Sequence, residues 1–464
     1  MSPRTLAPLV IPLVMSGIFA GALAAEPADA DAPAATPLTL RQAEQTALRN
    51  QPTVREAHGL LEAAEGRVEE ARAGYLPQVS LSATYERTTG NYAQRPGVLP
   101  SSIMASGTGG NGGSAAVTAS ATSVSWNPQF NDYILGITGS QLIYDFGVTS
   151  QKWRAAGASR DAAHENTRTA ALQTLLNVRK AYFTARANRD LVAVADETVR
   201  NQQKHVEQTQ AFVRTGIQPD INLATVLTAL ANAKVQLVTT QNNFAVAEAQ
   251  LAQAMGVTAS NQYTLEDDEF PPIAGEDGPN ATLVDQALKN RPEVANLVDQ
   301  QRAQELTVSS VRGSYGPSLN AIANVSDAGI AINNLVPNWY VGLGLTWNLL
   351  QGGLTNGQVR EAKGTLENLV GQVEALKLQV QVDVEQGRLG VQAAKATIGA
   401  ANEALENARN QLTLAEKRYA HGLGSAVELD DAQVAYTSAE AQVVQARFNL
   451  AAARAQLLAA LGAQ

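Results

Sequence analysis

The chain contains no cysteine, and only 5% of its residues are aromatic. Without cysteine there are no disulfides, no thiol chemistry, no thiolate metal sites and no lipidated N-terminal cysteine. So few aromatics argue against large compact cores and for long packed helices rich in alanine and leucine. The four histidines (His58, His164, His205, His421) are scattered over separate segments with no ligand spacing. No enzyme signature, metal site or cofactor is expected from them. The glycine run from 107 to 113 lacks the Lys-Ser/Thr of a phosphate loop. Excess positive charge is also missing: 34 Lys and Arg stand against 43 Asp and Glu, a net charge of −9, which excludes a nucleic-acid partner. After the first 25 residues no stretch of 18 uninterrupted apolar residues occurs, so no later transmembrane helix is expected. Any further contact with a membrane must then be made by strands.

What is present is a long pattern. Val391, Ala394, Ile398, Ala401, Leu405, Ala408, Leu412, Ala415 and Tyr419 step by three and four. After a turn at residues 421–425 the steps resume as Leu429, Ala432, Tyr436, Ala439, Val443, Ala446, Leu450, Ala453 and Leu457. This is a coiled-coil seam in an antiparallel helical hairpin. Alanine at alternate seam positions lets the helix axes approach closely. The hairpin occurs twice. Residues 206 positions earlier give Leu223, Val226, Leu230, Ala233, Leu237, Thr240, Phe244, Ala247 and Leu251, with the turn at Gly216. The first helix of that earlier copy matches more loosely, with Asn188, Gln202 and Thr209 on its seam.

Residues 1–25 read as a secretory signal peptide: Arg4, an apolar run from Leu9 to Leu23, and Ala22-Leu23-Ala24 at the cleavage site. Residues 26–37 are a Pro/Ala/Asp linker. A first structural repeat is expected over 38–256, with helices at 53–74, 150–214 and 220–256 and strands at about 78–87 and 133–145. A linker follows at 257–280, its acidic run Glu266-Asp267-Asp268-Glu269 solvated. The second repeat, 281–464, is expected to carry helices at 293–313, 354–420 and 426–461 and strands at about 318–325 and 339–349. Residues 88–131 form a long loop, too polar and glycine-rich to pack. In the last strand Trp339, Val341, Leu343, Leu345 and Trp347 share one face. An apolar stripe with an aromatic at each end suits a lipid face, with Trp339 and Trp347 at the interfaces.

At 1.5 Å per residue, the helix from 150 to 214 spans about 100 Å and its partner from 220 to 256 about 55 Å. The helix from 53 to 74, stacked end to end on the shorter arm, nearly makes up the difference. Four strands cannot close a membrane barrel, so the chain must oligomerise with cyclic symmetry. Two chains give an eight-stranded barrel filled by side chains; three give twelve strands and twelve helices, and room for a pore.

The duplicated order (helix, Tyr-x-Pro, strand, loop, strand, long helix, Gly-containing turn, helix) resembles the TolC family of outer-membrane efflux and secretion channels. Tyr75-Leu76-Pro77 and Tyr315-Gly316-Pro317 carry the likeness, with Gly216 through Leu223 and Gly422 through Ala432. The resemblance covers about residues 38 to 462. It implies a mainly α fold with a transmembrane β-barrel: a homotrimer with one 12-strand barrel in outer-membrane lipid and a 12-helix periplasmic tunnel. It also implies docking to a periplasmic adaptor, a membrane fusion protein, that links the tunnel to an inner-membrane pump. The chain departs from some branches in having no N-terminal cysteine, and from others in having Gly424 where an arginine helps lock the closed end.

The two hairpin turns are then the periplasmic tips. Gly216 and Gly422 suit left-handed helix ends, Pro219 suits the first turn of the next helix, and Ser425 through Glu428 fit a capping box. Thr215, Gly216, Ile217, Leu223, Gly422, Leu423, Gly424, Ser425 and Val427 offer a surface for an adaptor hairpin. Glu428 and Asp431, three apart on one helix face, have two readings: stabilisation of the helix N-terminus, or the ring of carboxylates that the family places at a cation-selective pore gate. The alternative to a channel is a periplasmic coiled-coil adaptor or scaffold without a membrane barrel; the four alternating strands and the glycine-rich loop count against it. A trimeric surface adhesin would not need the duplication.

Overall fold

The computed structural model describes residues 36–89, 129–216, 218–258 and 263–463. The expected signal peptide, most of the 88–131 loop and Ile217 lie outside these residues. The described chain runs β1 (Thr36–Leu38), α1 (Leu40–Asn50), α2 (Pro52–Ala73), β2 (Gln78–Thr89), β3 (Gln129–Tyr144), α3 (Val148–Arg214) and α4 (Asp220–Ala254). It continues as β4 (Tyr263–Leu265), α5 (Asn280–Asn290), α6 (Pro292–Gly313), β5 (Ser318–Gly329), β6 (Val336–Thr346), α7 (Leu354–Ala420) and α8 (Ala426–Ala460). The second half replays the order of the first, each half opening on a short strand, β1 or β4.

The alanine-alternating seam does what its spacing dictates. Val391, Ala394, Ala401, Ala408, Leu412, Ala415 and Tyr419 are buried on α7, and Leu429, Ala432, Ala439, Val443, Ala446 and Leu457 on α8. The shorter arm of each hairpin meets a shorter helix end to end. Gly256, just past α4, has φ +69°, and a Cβ there would sit 2.8 Å from the backbone of Asn50. Gly462, just past α8, has φ +68°, and a Cβ there would sit 2.8 Å from Arg291 N. Only glycine allows both that backbone conformation and that approach. The joints are also tied by side chains: Gln51 donates to Ala254 O (3.4 Å), and Arg291 donates to Ala460 O (2.8 Å) while pairing with Asp383 (2.9 Å).

Residues 257–280 are not a plain solvated linker. Leu265 and Phe270 are buried, and β4 pairs in parallel with β1, which extends the fold into the expected N-terminal linker. Tyr182 on α3 donates to both Leu38 O (3.1 Å) and Glu266 O (2.9 Å), which pins the two segments across the helix. Its burial pushes the phenol up to about 12. Within the acidic run, Asp267 pairs with Arg186 and Arg189, and Asp268 accepts from Leu40 N (2.8 Å). The run is acidic because it caps α1 and meets the arginines of α3.

Farther along the same segment, Glu276 is 4% exposed and is held by Arg454 (3.0 Å) and Lys395 (2.7 Å); Lys395 also reaches Asp277 (2.8 Å). Burial opposes the charge on Glu276, but these hydrogen bonds win and hold its carboxyl down to about 2. The segment is thereby clasped to α7 and α8.

Among the described residues, α4 is the one helix long and apolar enough to cross a membrane by length and composition alone, although it has no uninterrupted apolar run of 18 residues. Its apolar residues lie on more than one face: Val226, Ala247 and Leu251 pack inward, while Val235 (66% exposed) and Val238 (65%) face out of the single chain.

A folded-state carboxyl depressed from 4.5 to about 2 contributes stability that is present above pH 4.5 and lost as pH falls through 2. Arg454→Ala leaves that buried charge short of its main partner. It should destabilise the folded chain by about 3–5 kcal/mol at neutral pH. Urea denaturation at pH 7 and near pH 3 measures this, with the loss shrinking at the lower pH.

Candidate functional site: an amphipathic sheet and two hairpin tips

The four long strands lie in the order β2-β3-β5-β6, every neighbouring pair antiparallel. The register aligns their alternation across the whole sheet. Leu81 stands opposite Ile137, Ile137 opposite Val325, and Val325 opposite Trp339. That face is apolar and open: Leu81 is 71% exposed, Val341 73%, Leu343 72% and Trp339 77%. The other face carries Ser80, Ser82, Thr138, Asn324, Ser326 and Thr346, with Asn324 donating to Thr138 at 2.8 Å. A water-soluble sheet hides its apolar face; this one hides neither.

The outer strands β2 and β6 pair on one side only, so the described chain forms no closed barrel. The strands are also longer or shifted relative to their expected bounds. β3 begins at Gln129, β5 runs to Gly329, and β6 covers Val336–Thr346 rather than reaching 349. Trp347 therefore sits just past the strand, its Nε1 donating to Tyr315 O at 3.0 Å. The hydrophobic alternation continues to Leu349, but pairing ends where β5 begins.

At the far end of the long helices lie the two turns. Gly216 (φ +73°) and Gly422 (φ +72°) take the left-handed conformation. Leu423 N donates to Arg418 O and Gly422 N to Tyr419 O, a Schellman closure. Pro219 occupies the cap position of α4 rather than its first turn. Thr215 is exposed and donates to Ala211 O (3.1 Å) and Phe212 O (3.0 Å), while Leu223 packs into the tip cluster. Leu423 (75%) and Val427 (59%) project into solvent, and Gly424 lies against the end of α7.

The expected capping box is only half formed. Ser425 accepts from Glu428 N at 3.1 Å, but the Glu428 carboxylate turns to Arg418 (3.0 Å) instead of closing the box. The arginine fork on α7 offers a charge-assisted bond that a single backbone N–H cannot match. Asp431 is exposed, on the same side of α8.

Several residues at this end were not singled out as a site by the sequence. The Tyr419 hydroxyl lies 2.7 Å from Thr209 Oγ1 and donates to Gln218 Oε1 at 3.1 Å, and its ring packs edge-on to Phe212. Gln202 donates to Asp430 (3.1 Å), and Thr198 meets Thr437 (3.0 Å). These bonds join the first hairpin to the second. Their only advance signal was the polar residues on the first seam, Gln202 and Thr209 among them.

The family pattern described as "Outer membrane efflux protein" matches residues 43–257 and 283–463. The chain belongs to that family. Its place is therefore the outer membrane. It is 25% identical to the outer membrane protein TolC of Escherichia coli K12, over 99% of this chain and 86% of TolC. It is 24% identical to protein CyaE of Bordetella pertussis, over 92% of this chain and 84% of CyaE. Among solved structures it superimposes on the Campylobacter jejuni CmeC outer membrane channel with a TM-score of 0.76 at 16% identity, covering 91% of this chain and 85% of CmeC. The sheet of this outer-membrane protein is thus apolar and open on one face and polar on the other.

The two faces give opposite outcomes for adjacent residues. Leu343→Arg, on the apolar face, should cost about 2–4 kcal/mol of membrane insertion if that face meets lipid. Gly344→Arg, on the polar face, should then insert normally. Yield in the outer-membrane fraction and urea titration of each variant in detergent or lipid provide the comparison.

Proposed function

We propose that this protein is the exit duct of a tripartite efflux or type I secretion system, and that it conducts substrate passively. One observation carries the reading: a four-stranded sheet, apolar on one face, polar on the other and unpaired at both edges, is joined to helices of 67 residues. Such a sheet is stable in lipid only if other copies close it. Three copies give a twelve-stranded barrel wide enough for a pore, continued by a twelve-helix tunnel about 100 Å long. In the secreted protein, residues 1–25 are removed as a signal peptide, and 38–256 and 281–464 act as the two repeats.

An inner-membrane pump supplies the driving force, through a periplasmic adaptor that docks on the hairpin tips. Thr215, Gly216, Ile217, Leu223, Gly422, Leu423, Gly424, Ser425 and Val427 form the docking surface. Trp339 and Trp347 sit at the membrane interfaces. Glu428 and Asp431, six carboxylates in a trimer, ring the tunnel mouth as a cation-selective gate, with Arg418 partly neutralising Glu428. The Tyr419–Thr209–Gln218 bonds hold the two hairpins of one chain together when the mouth is closed. No catalysis and no cofactor enter this function. The reading as a periplasmic adaptor without a barrel is not favoured, because the family match spans the strands as well as the hairpins.

The test is conductance of the purified protein in planar bilayers. A small, cation-preferring conductance is expected, and Glu428→Ala combined with Asp431→Ala should reduce the cation preference. A protein that never conducts removes the duct, and unchanged selectivity in the double variant removes the acidic gate.

A further inference from the structure

The contact between the two hairpins contains a buried histidine that neither the sheet nor the tips require. His205 on α3 is 8% exposed, and no well-formed hydrogen bond reaches its Nε2; Gln433 is its side-chain neighbour across the contact. Across the contact, Gln433 on α8 is 1% exposed; its Nε2 reaches Thr437 (3.3 Å), and its buried side chain meets the His205 ring. Thr198, Gln202, His205 and Thr209 step by four, three and four, so they line one face of α3. Three of the four already bond across to Thr437, Asp430 and Tyr419. His205 is the titratable member of this polar face, and its neighbour across the contact is Gln433.

Three charged groups act on His205: Glu416 on α7, Asp430 on α8 and Lys204 on α3 itself. Asp430 is already occupied by Gln202. Burial, with Lys204, outweighs the two carboxylates and the Gln433 hydrogen bond and holds the imidazole below its ordinary value.

We propose that His205 makes the contact between the two hairpins acid-sensitive: the neutral ring fits the closed contact, and protonation favours its separation. A group with a lowered folded-state value supports the closed contact fully above its ordinary value near 6.5 and loses that support as pH falls through the lowered one. Separation returns the imidazolium to water, where it is fully solvated. The proposal concerns regulation of the same tip whose gating is proposed above and rests on that reading, but its first readout needs no ion flow.

Because the chain has no native cysteine, Val206→Cys, at a buried position beside His205, reports opening through its labelling by a soluble thiol reagent. Leu423→Cys, at an exposed position, normalises for the reagent's own pH dependence. In the intact detergent-solubilised protein, the normalised labelling of Val206→Cys should rise about threefold or more between about pH 7.5 and 5.5. Adding His205→Leu should flatten that response while preserving the packed contact at pH 7.5. Bilayer recordings of otherwise native and His205→Leu protein should show the same split in open probability. A flat response in the parent, a fall in labelling with acid, or a response that survives His205→Leu would each overturn the proposal. Labelling that follows this pattern in a protein that never conducts would leave the acid-sensitive contact standing and remove the duct.

Discussion

A backbone N–H or C=O left unpaired in hydrocarbon costs several kcal/mol, and β2 and β6 each present a whole row of them. Much of the chain's form answers to that cost. In lipid both strands must find partners, because neither outer edge is paired within the described chain. The alternation along the strands then has to be in phase across all four, since a slip of one residue would turn every apolar side chain of a strand to the polar face. The observed register, from Leu81 through Ile137 and Val325 to Trp339, keeps that phase without interruption.

The helical part meets a related demand in water. A wall built of single helices has two flanks to cover, and the composite helices solve the mismatch between one long arm and one short arm by stacking. The close backbone joints at Gly256 and Gly462 fix that stacking, and the Tyr182 bonds and the Glu276–Arg454–Lys395 clasp bind the intervening segments to the helices. The two hairpins differ in chemistry as well as in sequence. The second has an apolar, alanine-spaced seam, whereas the first meets it through Thr198, Gln202, His205 and Thr209. Polar contacts of this kind fix register at a cost in stability.

Most of the fold was legible because it is written in periods. Steps of three and four gave the hairpins, alternation gave the strands, and the offset of 206 residues gave the duplication. What escaped was written in single contacts. The 257–280 segment read as solvated because its four acidic residues are adjacent in sequence, while the arginines that meet them are some 80 residues away on α3. The capping box failed because Arg418, across the turn, competes for Glu428. Strand ends were misplaced where hydrophobic alternation outruns pairing, as at Trp347 to Leu349. The tip bonds of Tyr419 could not be read from a seam position alone, since a seam tyrosine is ordinarily core and its hydroxyl partner lies on the other hairpin.

Closure of the sheet edges by neighbouring copies can be tested directly, because the chain has no cysteine of its own. One cysteine placed at Val79, Leu81 or Ala83 on β2, combined with one at Val341, Leu343 or Leu345 on β6, samples the possible registers between two chains. A closed three-chain barrel predicts that at least one such pair oxidises to a covalent trimer in outer membranes, with no larger species. Dimers alone, open ladders, or no cross-link from any pair would contradict it.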